Sequence, residues 1–241
     1  MSLFSSIDAY ELDPRAGEVR IRVAHDCAPV LSPMAEAEWS RQKSRNDRLH
    51  DGPILSVVSF DPGRNEIAAR RDGYARLVVQ PRVQTGVRQL SVTAVLIAHE
   101  GGRNGRAYAL MGRRSPGTRI YGGLWELGPS GGLPAPAPCI DTLTAADLHR
   151  HLADEIAEEA GLTVRNEGVP VAYVRDRVAH SDDVVLRYTL GELREVAASP
   201  ANWEYSEVVW MPIDCAAAWD NEDTIAATRA LFRVLGWIEQ I

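Results

Sequence analysis

Three glutamates in the string HLADEIAEEAGL, from His151 to Leu162, are spaced so that they could act together. On a helix, Glu155, Glu158 and Glu159 would project from one side. Like charges at this spacing cost roughly 0.2–0.5 kcal/mol per pair, and the helix dipole disfavours negative charge in the last turns. Magnesium takes oxygen ligands and leaves room for substrate phosphates. The spacing therefore indicates a Mg²⁺ site, and the alternative is a solvated acidic helix face.

The helix that carries these glutamates is predicted to span Thr144 to Ala160. Thr144 and Asp147 fit a capping box, and Gly161 stands where a glycine commonly ends a helix. A glycine- and proline-rich passage, from Ser115 to Pro138, lies upstream and is too irregular for sheet or helix. Long loops inside a compact domain are often functional, so we expect this passage to border the site.

The remaining elements must position this helix. A helix is predicted to begin at Pro33 with Ser32 as its N-cap, and a final helix is predicted from about Thr224 to Ile241. Alternating or continuous apolar runs predict strands. They lie at Glu18 to His25, at ILSVVSF after Gly52, in two stretches ending near Val83, at Leu90 to Ala98, at AYALMGRR, and at VPVAYVRD, VVLRYTL and SEVVWMPI. A soft boundary near Gly86 divides the chain into 1–87 and 88–241.

Residues 90 to 215 resemble the Nudix hydrolases, whose signature is GX5EX7REUXEEXGU, where U is a bulky aliphatic residue. DEIAEEAGL, from Asp154 to Leu162, matches the second half of this signature except at the arginine, where Asp154 stands. WELGPSGG is similar to the loop that opens the motif. Gly132 and Asp154 are 22 positions apart where the signature expects 14, so eight residues are inserted. The insertion leaves no clear counterpart to the first glutamate.

The resemblance implies an α/β fold: a Nudix-type mixed β-sheet sandwiched between helices (α/β/α), with a smaller N-terminal α/β subdomain. It also implies that Glu155, Glu158 and Glu159 bind Mg²⁺, or Mn²⁺, and that the carbonyl of Gly131 joins the metal shell. Trp125 occupies a place where the family often has an aromatic residue, so it is a candidate for substrate binding. Because the missing arginine normally anchors the loop, the loop must be held differently here.

Phosphate contacts and the general base have several candidates. Arg113 and Arg114 end a predicted strand and are candidates for substrate phosphates, and because adjacent strand residues face opposite ways we expect only one to reach the site. The base is left open between Glu155, Glu204 and Glu207. Related hydrolases often place a base on the loop that carries the last two, and we count Glu207 among the catalytic residues.

The activity implied is metal-dependent hydrolysis of a diphosphate bond in a nucleoside diphosphate linked to another moiety. The passage AEWSRQKSRNDRLHDGPILSVVSFD, with Trp39, Arg41, Leu49 and Gly52, looks like the segment that precedes the Nudix domain in UDP-sugar diphosphatases. A nucleotide sugar such as UDP-glucose is therefore favoured, although an ordinary amphipathic helix explains the passage equally well. A catalytically impaired Nudix-like nucleotide-binding or sensor module is the alternative.

Composition and charge limit the kinds of partner that we expect for this protein. The 241 residues carry a net charge of −7, and nucleic-acid binders usually show a basic stripe, so we expect a small-molecule partner and no nucleic acid. No apolar run approaches the roughly 20 residues of a membrane helix, and no signal peptide is recognisable. Cys27, Cys139 and Cys215 lack metal-site spacing, which favours a reduced, cytoplasmic setting. A homodimer is compatible with the sequence.

Overall fold

The structure is a computed structural model that describes residues 6–26, 29–102 and 104–239. Cys27 lies outside these ranges. The strands are β1 (Ile7–Glu11), β2 (Arg20–Ala24), β3 (Pro53–Asp61), β4 (Glu66–Gly73), β5 (Gln89–Glu100), β6 (Arg106–Arg114), β7 (Trp125–Leu127), β8 (Ser130–Gly132), β9 (Thr142–Thr144), β10 (Val169–Asp176), β11 (Ser181–Glu192) and β12 (Tyr205–Pro212). The α-helices are α1 (Pro33–Lys43), α2 (Tyr74–Val79), α3 (Ala145–Ala160) and α4 (Ala226–Val234). Short 3₁₀ turns lie at Pro14–Ala16, Leu193–Glu195 and Ile213–Trp219.

One mixed sheet joins the strands of the described ranges. Its main path runs β1-β10-β11-β5-β3-β4-β2-β9, and β6, β7, β8 and β12 branch from it. The pairs β11·β5 and β2·β4 are parallel, whereas the other pairs are antiparallel. β5 is the centre, because β11, β3, β6 and β8 all pair with it. The predicted mixed sheet is confirmed.

Helices cover both faces of the central strands. The even-numbered residues of β5, from Leu90 to Leu96, share an apolar cluster with the α3 stripe of Leu148, Leu152 and Ile156. Val95, on the opposite face, shares a second cluster with Leu231 and Phe232 of α4. Complete burial of a side chain of this size stabilises the fold by roughly 1.5–3 kcal/mol. The α/β/α arrangement is therefore confirmed, and α3 is fixed to the sheet by its apolar stripe.

The N-terminal residues share this sheet with the rest of the chain. β1 pairs with β10, β2 pairs with β9, and Ser56 of β3 bridges to Gln89 of β5. α1 and α2 pack together through Ala35 and Val79, with Trp39 against them. The division of the chain at residue 87 stays a prediction.

The helix ends follow the predicted signals in most places. The Ser32 hydroxyl accepts a hydrogen bond from the Ala35 amide at 3.3 Å, and the Thr144–Asp147 capping box is present at α3. Gly161, with φ 65°, ends α3 as predicted. Within the described ranges no helix is long and apolar enough to cross a membrane.

Three predictions of local structure were wrong. The passage from Ser115 to Pro138 contains β7 and β8, because neighbouring strands supply pairing that its own sequence does not indicate. The second strand-like stretch before Val83 is largely the helix α2. The last helix ends at Val234, because Gly236 has a φ of 71° and the Trp237 amide turns back to the Phe232 carbonyl at 2.8 Å.

Candidate active site

A cavity of about 1230 Å³ brings together several of the predicted site residues. Its walls come from α3, from β5 and β8, from the loop before β12 and from α4. Glu155, Glu159, Gly131 and Arg114 all line it. Residues from distant parts of the chain therefore meet at one place, as expected of a binding site.

Glu155 lies against the backbone of Gly131. A Cβ atom built on Gly131 would lie 2.3 Å from Oε1 of Glu155, so a side chain at position 131 would displace this carboxylate. The ring of His151, one turn earlier on α3, places Nε2 3.3 Å from the same oxygen. The absence of a side chain at Gly131 therefore leaves the space on β8 that the Glu155 carboxylate of α3 occupies.

The carboxylates of the cavity have raised pKa values, because each is buried and is unfavourable as an anion so close to the others. Burial, with the nearby charges of Glu158 and Glu204, raises the pKa of Glu155 to about 7. Glu159 is 2% exposed, and burial with the charges of Glu204 and Glu126 raises its pKa to about 9. The pKa of Glu204 is also raised by burial, against the lowering effect of Arg114 and of a hydrogen bond with Glu159. Each of these carboxylates needs a proton or a cation as compensation.

Arg114 enters the site together with a buried glutamate that our sequence analysis did not single out. Its Nη1 lies 2.6 Å from Oε1 of Glu126, and its Nε donates to the carbonyl of Ile120 at 3.2 Å. The Tyr205 hydroxyl also donates to Oε1 of Glu126, at 3.0 Å. Glu126 raises the pKa of Arg114, against the effect of burial, so the guanidinium stays charged.

Glycines create the space for this arrangement. A Cβ on Gly112 would lie 2.5 Å from the Tyr205 ring, and one on Gly128 would lie 2.3 Å from its hydroxyl oxygen. Glu126 is part of WELGPSGG, which the sequence analysis already placed at the site. The direction of its side chain is set by two strand pairings, Gly112 with Glu126 and Arg114 with Tyr205.

The loop that carries Gly131 is held by the sheet and by the N-terminal residues. β8 pairs with β5, and the amide of Leu133 donates to the carbonyl of Leu90 at 2.9 Å. The inserted residues that follow lead into β9, which pairs with β2. The guanidinium of Arg71 donates to three carbonyls at 2.9 to 3.0 Å, those of Ala24, Ala137 and Ile140. These contacts tie the insertion to the N-terminal strands.

Four of the predicted site residues do not line the cavity. Arg113 lies over the Trp125 ring, 5.8 Å from its centroid, and 4.0 Å from the carboxylate of Glu207. The three residues are paired across neighbouring strands, Trp125 on β7 and Glu207 on β12 with Arg113 on β6 between them. Because successive side chains of a strand point to opposite faces, they lie on the face of β6 opposite to Arg114. Their predicted contacts with substrate, or with the reacting water, therefore find no support in the geometry. Glu158 is exposed and is also outside the lining.

Trp203 and Glu204 extend the cavity towards solvent. Trp203 is 53% exposed, and the guanidinium of Arg48 lies 5.5 Å from its ring centroid. Both residues line the same cavity as Glu155 and Glu159. A segment after α1 and the loop before β12 therefore meet at this wall through a cation–π contact.

The donor set of the cavity suits a hard cation. Glu155, Glu159, Glu204 and the backbone of Gly131 offer oxygen atoms alone, which is the ligand type that Mg²⁺ prefers. The raised pKa values give the electrostatic reason for a cation. Within residues 6–26, 29–102 and 104–239, no group of three or more His, Cys, Asp or Glu side chains is already arranged as a metal site. The set therefore fits a cation in chemistry, and its side chains would have to close around one.

Comparison with known proteins finds similar folds at low identity. No protein-family model matches the chain, and no curated protein matches it. The chain is similar to the NUDIX domain of Shewanella oneidensis NrtR complexed with ADP ribose, with 18% identity, a TM-score of 0.44, and 66% of this chain and 94% of that chain covered. It is also similar to RenU, a Nudix hydrolase from M. smegmatis, with 22% identity, a TM-score of 0.41, and coverage of 64% and 89%.

A third similar structure is a bifunctional NMN adenylyltransferase/ADP ribose pyrophosphatase from Francisella tularensis, complexed with AMP and a Mn ion. Its identity is 16%, its TM-score is 0.45, and the match covers 65% of this chain and 43% of that chain. Likenesses at these TM-scores do not decide what this chain does. The residues of its own cavity are what indicate a function.

Proposed function

We propose that this protein is a Nudix-type diphosphatase that hydrolyses a diphosphate bond in a nucleoside diphosphate linked to another moiety, with Mg²⁺ or Mn²⁺ as cofactor. The observation that carries the proposal is the meeting of Glu155, Glu159 and Glu204 with Gly131 and Arg114 in one cavity. Phosphoryl transfer needs mainly positioning and charge neutralisation, and this set provides both.

Glu155, Glu159 and the Gly131 carbonyl would hold the cation. Glu204 is a better candidate than Glu158 for a further ligand, because it interacts with Glu159 inside the cavity whereas Glu158 is exposed. When bound, the cation neutralises charge on the diphosphate oxygens and lowers the pKa of a coordinated water.

Arg114 supplies the fixed positive charge of the site. Glu126 and the Ile120 carbonyl orient its guanidinium, so little conformational freedom is lost when a phosphate binds. Arg114, rather than Arg113, is our candidate for the phosphate contact.

Glu204 and Glu155 are the candidates for the general base. Both line the cavity and both have a raised pKa, which brings a carboxylate closer to the range where it accepts a proton from water near neutral pH. Glu207 lies at the surface beside Arg113, so we no longer assign it this role.

A nucleotide sugar such as UDP-glucose is the favoured substrate class. The cavity is large enough for a drug-sized ligand, and its wall at Arg48 and Trp203 offers a cation and an aromatic ring to the rest of a nucleotide. Cytoplasmic location, a homodimeric state and the absence of nucleic-acid binding stay predictions.

A nucleotide-binding or sensor module without catalysis is the second candidate. Asp154 in place of the signature arginine favours it, and so does the exposure of Glu158, a predicted metal ligand. Such a module would bind the nucleotide and release no product.

The substitution Glu159→Gln separates the two functions. The purified protein is incubated with Mg²⁺ and a panel of UDP-glucose, other nucleotide sugars, dinucleoside polyphosphates and ADP-ribose, and products are resolved by ion-exchange chromatography. We expect release of a nucleoside monophosphate from one class by the wild-type protein, with at least about a hundredfold loss in the variant, as for removal of a major charge-stabilising group. Tight binding without turnover, unchanged by Glu159→Gln, would instead support the sensor module.

A metal titration followed by thermal unfolding tests the proposed metal site without depending on turnover. If Mg²⁺ binds the folded state, it raises the Tm of the wild-type protein with the logarithm of its concentration above the Kd, and Glu159→Gln abolishes the rise. Glu158→Gln is the matched control, because Glu158 is a helix neighbour of Glu159 outside the cavity lining. Equal effects of the two substitutions would contradict the proposed metal site.

A further inference from the structure

The central strand β5 carries polar side chains where a buried strand is normally apolar. Ser91 and Thr93 are 7% and 8% exposed, and they line the cavity on the face of β5 that α4 covers further along. On that same face Val95 belongs to the apolar cluster of α4. The face is therefore polar where the cavity borders it and apolar where a helix packs on it.

The neighbouring strand continues this polar surface. β11 runs parallel to β5 with Ser181 opposite Gln89 and Asp183 opposite Ser91, and both Ser181 and Asp183 line the cavity. The Thr93 hydroxyl donates to Oδ1 of Asp183 at 3.1 Å, and the Ser181 hydroxyl donates to Oδ2. We call Ser91, Thr93, Ser181 and Asp183 the polar floor.

The polar floor lies at a fixed distance from the proposed diphosphate site. β8 pairs with β5 on the side away from β11, with Gly132 opposite Ser91, and Glu155 lies against Gly131. Strands in a sheet are about 4.8 Å apart, so Asp183 is two spacings, or about 10 Å, from Gly132. That distance has the scale of a phosphoryl group together with a sugar ring.

The chemistry of the polar floor selects what can lie on it. A carboxylate repels a phosphate, and none of the four side chains is an aromatic ring on which a base could stack. Small hydroxyl side chains and the half-buried Asp183 can exchange hydrogen bonds with vicinal hydroxyl groups. A ligand without hydroxyl groups would leave unused the hydrogen-bonding capacity that these atoms retain beyond the bonds to each other, and it would still remove water from them, which is unfavourable.

We propose that the polar floor binds the vicinal hydroxyl groups of a pentose or hexose, as the specificity-determining part of the site. The proposal rests on the proposed function for the position of the diphosphate. The sugar has two sources in such a substrate, the nucleoside ribose and the sugar moiety on the other side of the diphosphate. Their hydroxyl chemistry is the same.

The test measures binding, so that it does not depend on turnover. Isothermal titration calorimetry in EDTA compares UDP-glucose with two analogues, one lacking the 2-hydroxyl of the glucose and one lacking the 2′-hydroxyl of the ribose. We expect the wild-type protein to bind one analogue about tenfold to a hundredfold more weakly than UDP-glucose, the cost of unpaired buried polar groups. The analogue that loses affinity identifies which sugar lies on the polar floor.

Two substitutions assign this discrimination to the polar floor. Thr93→Val keeps the shape of the side chain and removes its hydroxyl, and Asp183→Asn replaces one of the two acceptor oxygens with an NH2 donor. Each is expected to reduce the discrimination between UDP-glucose and its deoxy analogue to less than about threefold, because each removes part of the hydrogen-bonding set. Thr142→Val is the matched control, since Thr142 is exposed on β9 and outside the cavity lining. Circular dichroism checks the fold of each variant, and Thr93→Val suffices if Asp183→Asn does not fold.

The possible results separate this proposal from the proposed function. Hydroxyl-dependent binding without any product in Mg²⁺ would support the polar floor and contradict the hydrolase. Turnover of UDP-glucose with equal affinity for both deoxy analogues would support the hydrolase and overturn the polar floor. No binding of UDP-glucose would also overturn it, as would discrimination that persists in both floor variants.

Discussion

Gly131→Ala is a sharp test of the site, because it acts on one carboxylate through a single methyl group. The new Cβ would lie 2.3 Å from Oε1, 2.4 Å from Cδ and 2.7 Å from Cγ of Glu155. Ordinary contact begins near 3.4 Å, so the end of the Glu155 side chain must move by about 1 Å. Gly131 is not among the described glycines with positive φ, and alanine can adopt its backbone conformation.

Gly131→Ala is expected to lower the activity much more than the stability of the folded protein. Moving a flexible side chain off its rotamer costs about 0.5–1.5 kcal/mol, and alanine recovers about 0.4–1 kcal/mol by restricting the unfolded chain. The free energy of unfolding should therefore change by less than about 1 kcal/mol. A misplacement of 1 Å at a catalytic group can cost about a hundredfold in rate, so kcat/KM should fall by that order.

The assay combines urea unfolding followed by circular dichroism with turnover in Mg²⁺. Gly191→Ala is the matched control: a Cβ there would lie 3.9 Å from its nearest neighbour, Oε2 of Glu195, and its φ is ordinary. Wild-type kcat/KM in Gly131→Ala would refute the placement of Glu155 at the reacting group. So would a loss of activity accompanied by an equal loss in Gly191→Ala.

Three further predictions concern the surroundings of the site. Arg71→Ala removes the three hydrogen bonds that tie the insertion to the N-terminal strands, so it should lower the free energy of unfolding by about 1–3 kcal/mol and speed limited proteolysis of residues 134–141. The control Arg22→Ala breaks an exposed ion pair and should cost less than about 1 kcal/mol. Equal costs of the two substitutions would contradict the anchoring role of Arg71. Tyr205→Phe leaves Glu126 paired with its arginine and should cost about 1 kcal/mol in chemical denaturation, so a neutral effect would argue against that hydrogen bond. Burial raises the pKa of Asp183 from 3.8 to about 7, so the folded state holds this proton more tightly; the contribution of Asp183 to the free energy of unfolding should be greatest below about pH 4, fall by at most about 4 kcal/mol towards pH 7 and then level off. Denaturation across this pH range should show that slope in the wild-type protein and a flatter one in Asp183→Asn, and identical slopes would contradict it.

The electrostatics of the cavity explain why metal binding and folding should be coupled here. Glu155 and Glu159 are brought together by the packing of α3, and their raised pKa values measure the cost of holding both as anions. A divalent cation would relieve that cost and so stabilise the folded state. The same arrangement in the sensor module would be relieved by protons.

The amino-acid sequence by itself determined the local features of the site. The capping box at Thr144, the αL glycine at Gly161 and the apolar stripe of α3 are short-range signals, and helical geometry alone puts Glu155 and Glu159 on one side. The continuous apolar run of β5 likewise indicated a central strand before its neighbours were known. These predictions depend on residues within a few positions of each other.

Only the tertiary structure decided which side chains face the cavity. Arg114 faces it and Arg113 does not, because the register of β6 with its neighbours sets the direction of each side chain. Glu204 lies in the cavity on the loop before β12, whereas Glu207 on that strand pairs with Arg113 outside it, and the insertion is held by Arg71 from 66 residues away. Register and distant anchoring arise from contacts between segments far apart in the chain. A single sequence without its partners does not encode them in any short pattern.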